Sequence, residues 1–195
     1  MQVNVSASVG SALRSLRSFF GGGLPRLPLG RRLGKGVPLV NMKILNLFDN
    51  KQFIPQIADW IYEAFIDGIR EGIALRDVTH ALSNRHKKTM PLTYLGIVNG
   101  ECVGTVSLVS NDLKSRGDLT PWLAALYIRE EDRGQGYGQE LIEKAIETAR
   151  ELGFRKLYLR TETAADYYKK VEWKKIDETI DRFNLYTEVF EKDIS

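Results

Sequence analysis

Apolar and polar positions change their period several times along this chain, and each change marks an element. From residue 54 to 69, Ile57, Trp60, Ile61, Ala64, Phe65 and Ile69 recur at steps of three and four, the spacing that lines one face of a helix. A second helix is expected over about 73–87 on Val78, Ala81 and Leu82, with Pro91 stopping anything helical before it. Residues 93–98 and 102–109 are rich in Val, Leu and Thr. They flank Asn99-Gly100, a pair that tolerates the positive φ of a tight hairpin turn. Residues 122–129 are apolar almost without interruption, which predicts a strand buried on both faces. In 139–152, Leu141, Ile142, Ala145, Ile146, Ala149 and Leu152 share one side of a helix that Gly153 ends. Short strands are read at 43–48, 156–160, 173–179 and 185–191, a short helix at about 164–171 and a polar loop at 111–121. The order β-α-α-β-β-β-α-β-α-β-β describes a mixed α/β domain, a sheet flanked by helices.

The periodic pattern fails before residue 42. Residues 1–41 are rich in Ser, Gly, Arg and Pro, with Gly21-Gly22-Gly23, Pro25, Pro28 and Pro38 as breakers. Such a composition buries too little apolar surface to offset chain ordering, so mobility is expected beyond one short helix on Leu13, Leu16 and Phe20. The leader holds six basic residues and no acid. An Arg- and Ser-rich, acid-free amphipathic stretch is the composition of an organellar transit peptide; translation from Met42, or a non-native leader, explains it equally. Two units follow: a leader, 1–41, and a domain, 42–195.

Charge is therefore uneven. The whole chain carries +3, but removing the six leader residues leaves 22 basic against 25 acidic residues in 42–195. A mildly acidic domain argues against nucleic acid as a partner. No stretch is apolar enough to span a bilayer, so no membrane partner is expected either. Cys102 is the single cysteine and excludes an internal disulfide framework. His80 and His86, not paired with cysteines, give no metal-site spacing, so no metal is expected. Cytoplasmic placement is the expectation, with a mitochondrion or other organelle as the alternative if 1–41 is a genuine transit peptide.

The candidate chemistry lies in Arg133-Gly134-Gln135-Gly136-Tyr137-Gly138, between the apolar strand and the helix at 139–152. The first N–H groups of a helix lack internal partners, and the helix dipole adds partial positive charge there, so a pyrophosphate is stabilised without a lysine. The glycines let the backbone approach the anion because no Cβ intervenes. Arg133 either supplies formal charge or braces the turn. A dinucleotide fingerprint starting at Gly134 fails, because its third glycine would be Gln139 and no acid follows near 153–155. A phosphate loop around Gly34-Lys35 fails on Leu29 and Gly36. A glycine-rich turn without a ligand remains the competing reading of the hexapeptide alone.

Context decides. Arg133-x-x-Gly136-x-Gly138 matches the (Arg/Gln)-x-x-Gly-x-(Gly/Ala) signature of the GNAT superfamily of N-acetyltransferases. The strand Leu123-Ala124-Ala125-Leu126-Tyr127-Ile128 resembles that family's fourth strand. Tyr167-Tyr168-Lys169-Lys170-Val171-Glu172-Trp173 is similar to its F-Y-E-K-x-G-(F/W) segment. The likeness covers roughly 43–190. It implies a mostly antiparallel sheet of six to seven strands with about four helices, strands four and five parallel and splayed.

The resemblance also implies an activity: transfer of an acetyl group from acetyl-CoA, as co-substrate, to a primary amine by direct attack in a ternary complex. Main-chain groups of Leu126, Tyr127 and Ile128 are then expected to pair with the pantetheine arm, and Arg133, Gly134, Gln135, Gly136, Tyr137 and Gly138 to hold the pyrophosphate. Tyr168 matches the general acid that protonates the leaving thiolate, with packing as its ordinary alternative and Tyr167 as a packing residue. Glu172 departs from the pattern at the usual glycine position. The asparagine often found ahead of the short helix is missing, with Thr161, Thr163 and Asp166 the nearest polar candidates. No base is assigned; Glu63, Asp67, Asp112 and Asp118 are acids that could line an acceptor site. The acceptor is an amine-bearing small molecule or protein, and a homodimer is open. The alternative function is a non-catalytic acyl-CoA-binding or sensor domain.

Overall fold

The structure, a computed structural model, describes residues 41–195; the leader and the helix expected on Leu13 to Phe20 lie outside them. The strands are β1 (Lys43–Asn46), β2 (Leu92–Val98), β3 (Glu101–Val109), β4 (Trp122–Ile128), β5 (Lys156–Thr161), β6 (Lys174–Ile180) and β7 (Tyr186–Asp193). The α-helices are α1 (Ile54–Phe65), α2 (Leu75–Ser83), α3 (Tyr137–Glu151) and α4 (Ala165–Lys170). All seven strands form one sheet in the order β1-β2-β3-β4-β5-β7-β6. Every neighbouring pair is antiparallel except β4 with β5.

Two-residue alternation sends the sheet's side chains into separate cores. Leu92 and Tyr94 on β2 join Leu141, Ile142, Ala145 and Ala149 of α3, and the Tyr94 hydroxyl shares a 2.9 Å hydrogen bond with Thr148. Leu95 and Ile97 face the other way, onto Ile57, Ala58 and Ile61 of α1 and Val78 and Leu82 of α2. The β2–β3 hairpin turns on Asn99 (φ 52°) and Gly100 (φ 86°), the left-handed pair that the sequence predicts.

Several elements stop short of the expected bounds. After β1 the Asn46 side chain accepts the Phe48 N–H at 2.9 Å and starts a 3-10 turn where a strand was expected to continue. Helix α1 ends at Phe65, because both Ile66 and Asp67 donate to the Tyr62 carbonyl and Gly68 follows at φ 65°. Strand β4 is not buried on both faces as its composition predicts. Trp122 and Leu123 are buried, but Ala124 to Ile128 are half-buried. The cause is its neighbour: β4 and β5 share one paired position, Trp122 opposite Tyr158, and part beyond it.

Candidate active site

The strand that parts from β5 is also bent. Against β3, Thr105 faces Tyr127 and Ser107 faces Ala124, so Ala125 and Leu126 together oppose Val106. This bulge holds Ala125 at φ 49°, a conformation costly for an L-residue. Gly104 on β3 lets the strand come this close: a Cβ there would stand 2.7 Å from the Tyr127 carbonyl oxygen and 2.5 Å from the Ile128 side chain. The parting strands open an elongated cleft of about 2720 Å³, whose lining includes Leu126, Ile128, Arg133, Gly136, Tyr168 and Arg160. It exceeds the roughly 300–1,000 Å³ of a single small-molecule pocket, leaving room for two substrates.

At one end of the cleft, the chain leaves β4 and turns through Gly134 (φ 77°) and Gly136 (φ 90°) into α3. Gly136 stands at the helix cap, and its carbonyl accepts the N–H groups of Gln139 and Glu140. Among the described residues, the N–H groups of Gly134, Gln135, Gly136, Tyr137 and Gly138 find no backbone acceptor. A Cβ at Gly134 or Gly136 would meet nothing within 4 Å, so the approach to those donors is open. Five unpaired donors at the positive end of a helix suit a pyrophosphate. Arg133 braces this turn: its Nε donates to the Ile128 carbonyl at 3.0 Å, and its guanidinium lies 5.9 Å from the Tyr127 ring centre. Gln135 and Tyr137 also line the cleft, whereas the Tyr127 ring turns from it to stack on Trp60 at 5.2 Å.

Tyr168, on α4, is buried against the rings of Tyr167, Trp173 and Phe190 and lines the same cleft. Burial pushes its phenol well above the ordinary value, so the group is held in its protonated form. Tyr167, half-buried, packs edge-on against Tyr168 and lines the cleft too. Thr161, one of the polar candidates near the missing asparagine, accepts the Ala164 N–H on its Oγ1 at 2.9 Å ahead of α4. Glu172 adopts φ 65° and so keeps the turn that a glycine would make, allowing Trp173 N–H to reach the Tyr168 carbonyl at 3.0 Å.

Of the four acids weighed for the acceptor side, only Asp112 lines the cleft. Glu63 and Asp67 are exposed outside it. Asp118 is held by Arg116 Nε and Nη2 at 3.0 and 2.9 Å, bracing its own loop. Asp112 instead meets Arg160 at 3.1 Å with 34% of its side chain open. Burial raises its carboxyl, against the pull of Arg160 and Arg70. Arg160 also holds Asp181 at 2.8 Å. Burial opposes the Asp181 carboxylate, but Arg160 and the N–H groups of Leu185 and Phe183 keep it below its ordinary range. Arg70, Arg85, Glu162 and Asp181 line the cleft without any sequence signal, since they are isolated charges in five separate segments with Asp112 and Arg160.

No helix among the described residues is long and apolar enough to cross a membrane. The model of the acetyltransferase (GNAT) family matches residues 54–172. No curated protein matches the sequence. Among solved structures, the chain resembles a GNAT-family acetyltransferase from Staphylococcus aureus Mu50, at 17% identity and a TM-score of 0.61, over 80% of this chain and all of that one. An aminoglycoside 6'-N-acetyltransferase complexed with coenzyme A superposes with a TM-score of 0.63 at 14% identity, over 79% of this chain and 98% of the other. The aminoglycoside 6'-N-acetyltransferase of Enterococcus faecium does so with a TM-score of 0.61 at 13% identity, over the same shares.

Proposed function

The chain belongs to the GNAT acetyltransferase family, and from that premise we propose that it transfers an acetyl group from acetyl-CoA to a primary amine by direct attack in a ternary complex. One observation carries this reading: the unpaired N–H row at the start of α3 and the protonated Tyr168 phenol open onto one cleft, along the face of β4 that β5 leaves free.

In this mechanism the N–H groups from Gly134 to Gly138 bind the pyrophosphate, and the freed main chain of Leu126, Tyr127 and Ile128 pairs with the pantetheine arm as an added strand would. A β4 N–H beside the bulge polarises the thioester carbonyl. The neutral amine attacks the carbonyl carbon, forming the C–N bond and placing negative charge on oxygen. Losing one donor to such an oxyanion costs about 3–4 kcal/mol of the barrier. As the C–S bond breaks, Tyr168 gives its proton to the sulfur and recovers one from solvent, while the amine's proton leaves to water or a carboxylate. Asp112, raised by burial and open to the cleft, is the carboxylate best placed to take it.

The aminoglycoside 6'-N-acetyltransferases among its structural relatives make an aminoglycoside one acceptor class to test. Calorimetry with coenzyme A, followed by thiol release from acetyl-CoA across an amine panel, checks the reading. Binding with amine-dependent release is expected. Binding without release under any amine would instead favour a sensor domain, and absence of binding removes both.

A further inference from the structure

We infer that the acceptor carries a carboxylate besides its reacting amine, and that Arg85 binds this carboxylate with Arg70 beside it. The inference deepens the transfer reading above and rests on it. Five arginines line the cleft; apart from Arg133 at the glycine turn and the exposed Arg182, the three that remain are Arg70 in the turns after α1, Arg85 just beyond α2 and Arg160 on β5. Three carboxylates balance them in formal charge, Asp112, Glu162 and Asp181, but the contacts are unequally shared. Arg160 takes Asp112 at 3.1 Å, Asp181 at 2.8 Å and Glu162 at 3.7 Å. Arg70 takes Glu162 at 3.2 Å. Arg85 takes none: among the described residues its side chain makes no hydrogen bond and no ion pair, although its Nε is sealed from solvent. The Nε of Arg70 is sealed and unpartnered too.

Leaving a buried donor unmade is destabilising, and the half-buried Arg85, attracted by Asp112 but out of contact with it, can take an acceptor that enters the cleft. A guanidinium presents a planar fork that a carboxylate fills with two parallel bonds. A pyrophosphate held at the start of α3, as proposed above, would lie away from it. Arg160 lies two residues past Tyr158, which pairs in parallel with Trp122, so it is level with Ala124 in the first half of β4. The phosphate turn begins beyond Ile128, four residues on from Ala124, or about 13 Å at about 3.3 Å per residue. The cluster thus faces the end of the cleft left for the acceptor. There, Asp112 and Glu162 keep 34% and 28% of their side chains open to meet an ammonium. The paired charges of Arg160 and Arg70 beside an Arg85 that holds no carboxylate suit a zwitterion and suit a polycation poorly.

Thiol release is measured with three groups of amines: amino acids and short acidic peptides, the same compounds as carboxamides, and polyamines with aminoglycosides. The carboxylates are expected to exceed their carboxamides in kcat/KM by on the order of ten- to a hundredfold, the worth of a charge-assisted bond. In Arg85→Gln that ratio falls toward one, with coenzyme A calorimetry reporting that the variant is folded. If Arg85→Gln does not fold, Arg85→Lys is read instead, and its lost fork is expected to narrow the ratio part of the way. Equal turnover of carboxylates and carboxamides, or a preference for polyamines or aminoglycosides, overturns the inference while leaving acetyl transfer standing. An unchanged ratio in the folded variant removes Arg85 from the role. No release with any amine, despite coenzyme A binding, overturns the transfer reading and this inference with it.

Discussion

Tyr168 and Cys102 show how burial sets the state of a side chain before any chemistry begins. The Tyr168 phenol is enclosed by three aromatic rings, and desolvation penalises its anion. It therefore enters the proposed reaction as the neutral phenol. Tyr168→Phe keeps the ring packing and removes the proton; kcat is expected to fall about a hundredfold or more, with the calorimetric affinity for coenzyme A unchanged. An unaltered kcat would strip the residue of its acid role. Cys102 is buried at the start of β3, and burial pushes its thiol up to about 11. The unfolded chain loses that proton first, from about pH 9, so the thiol's contribution to stability is intact below that pH and drains away toward about 11. Urea midpoints of the parent are expected to fall more steeply between pH 9 and 11 than those of Cys102→Ala. Parallel slopes would mean that the thiol does not titrate differently on folding.

Between elements, the decisive contact is the approach of β3 to the end of β4. Gly104 has no Cβ, and one placed there would press on the Tyr127 carbonyl, a backbone atom that cannot swing aside. Gly104→Ala is therefore expected to shift β4 beside its bulge, lowering stability by about 1–3 kcal/mol and weakening coenzyme A binding together with it. A variant with the parent's melting point and affinity would show that the strand has slack. The α4–β6 turn solves a similar problem by a different residue: Glu172 occupies the left-handed region at φ 65° that glycine enters without strain. Hydrogen bonds from Glu172 and Trp173 to Lys169 and Tyr168 carbonyls hold it there, so the departure from the family pattern changes the residue and keeps the turn.

At the scale of the molecule, the apolar clusters among the described residues join both helical faces of the sheet from Met42 to Ile194. We propose that 42–195 is a self-sufficient domain. A chain beginning at Met42 is expected to melt with the full-length protein and to bind coenzyme A equally. A midpoint lower by more than about 4 °C, roughly 1 kcal/mol, would show that the leader contributes to the fold.

What the amino-acid order determined by itself was local. Asn99-Gly100 announced a hairpin, the period over 139–152 announced α3, and Gly134, Gly136 and Gly138 marked the turn that leads into it, because backbone conformation and side-chain periodicity act over a few neighbours. Tyr168 and the β4 residues came from motif likeness in the same short range. Only the tertiary structure decided that β4 parts from β5 after one pairing, and so leaves half-exposed a strand whose composition reads as core. It alone gathered Arg70, Arg85, Asp112, Arg160, Glu162 and Asp181 around one cleft. Each is an ordinary charge in its own segment; Coulomb attraction and desolvation act through space, and they give such a charge a role only once the sheet has brought the segments together.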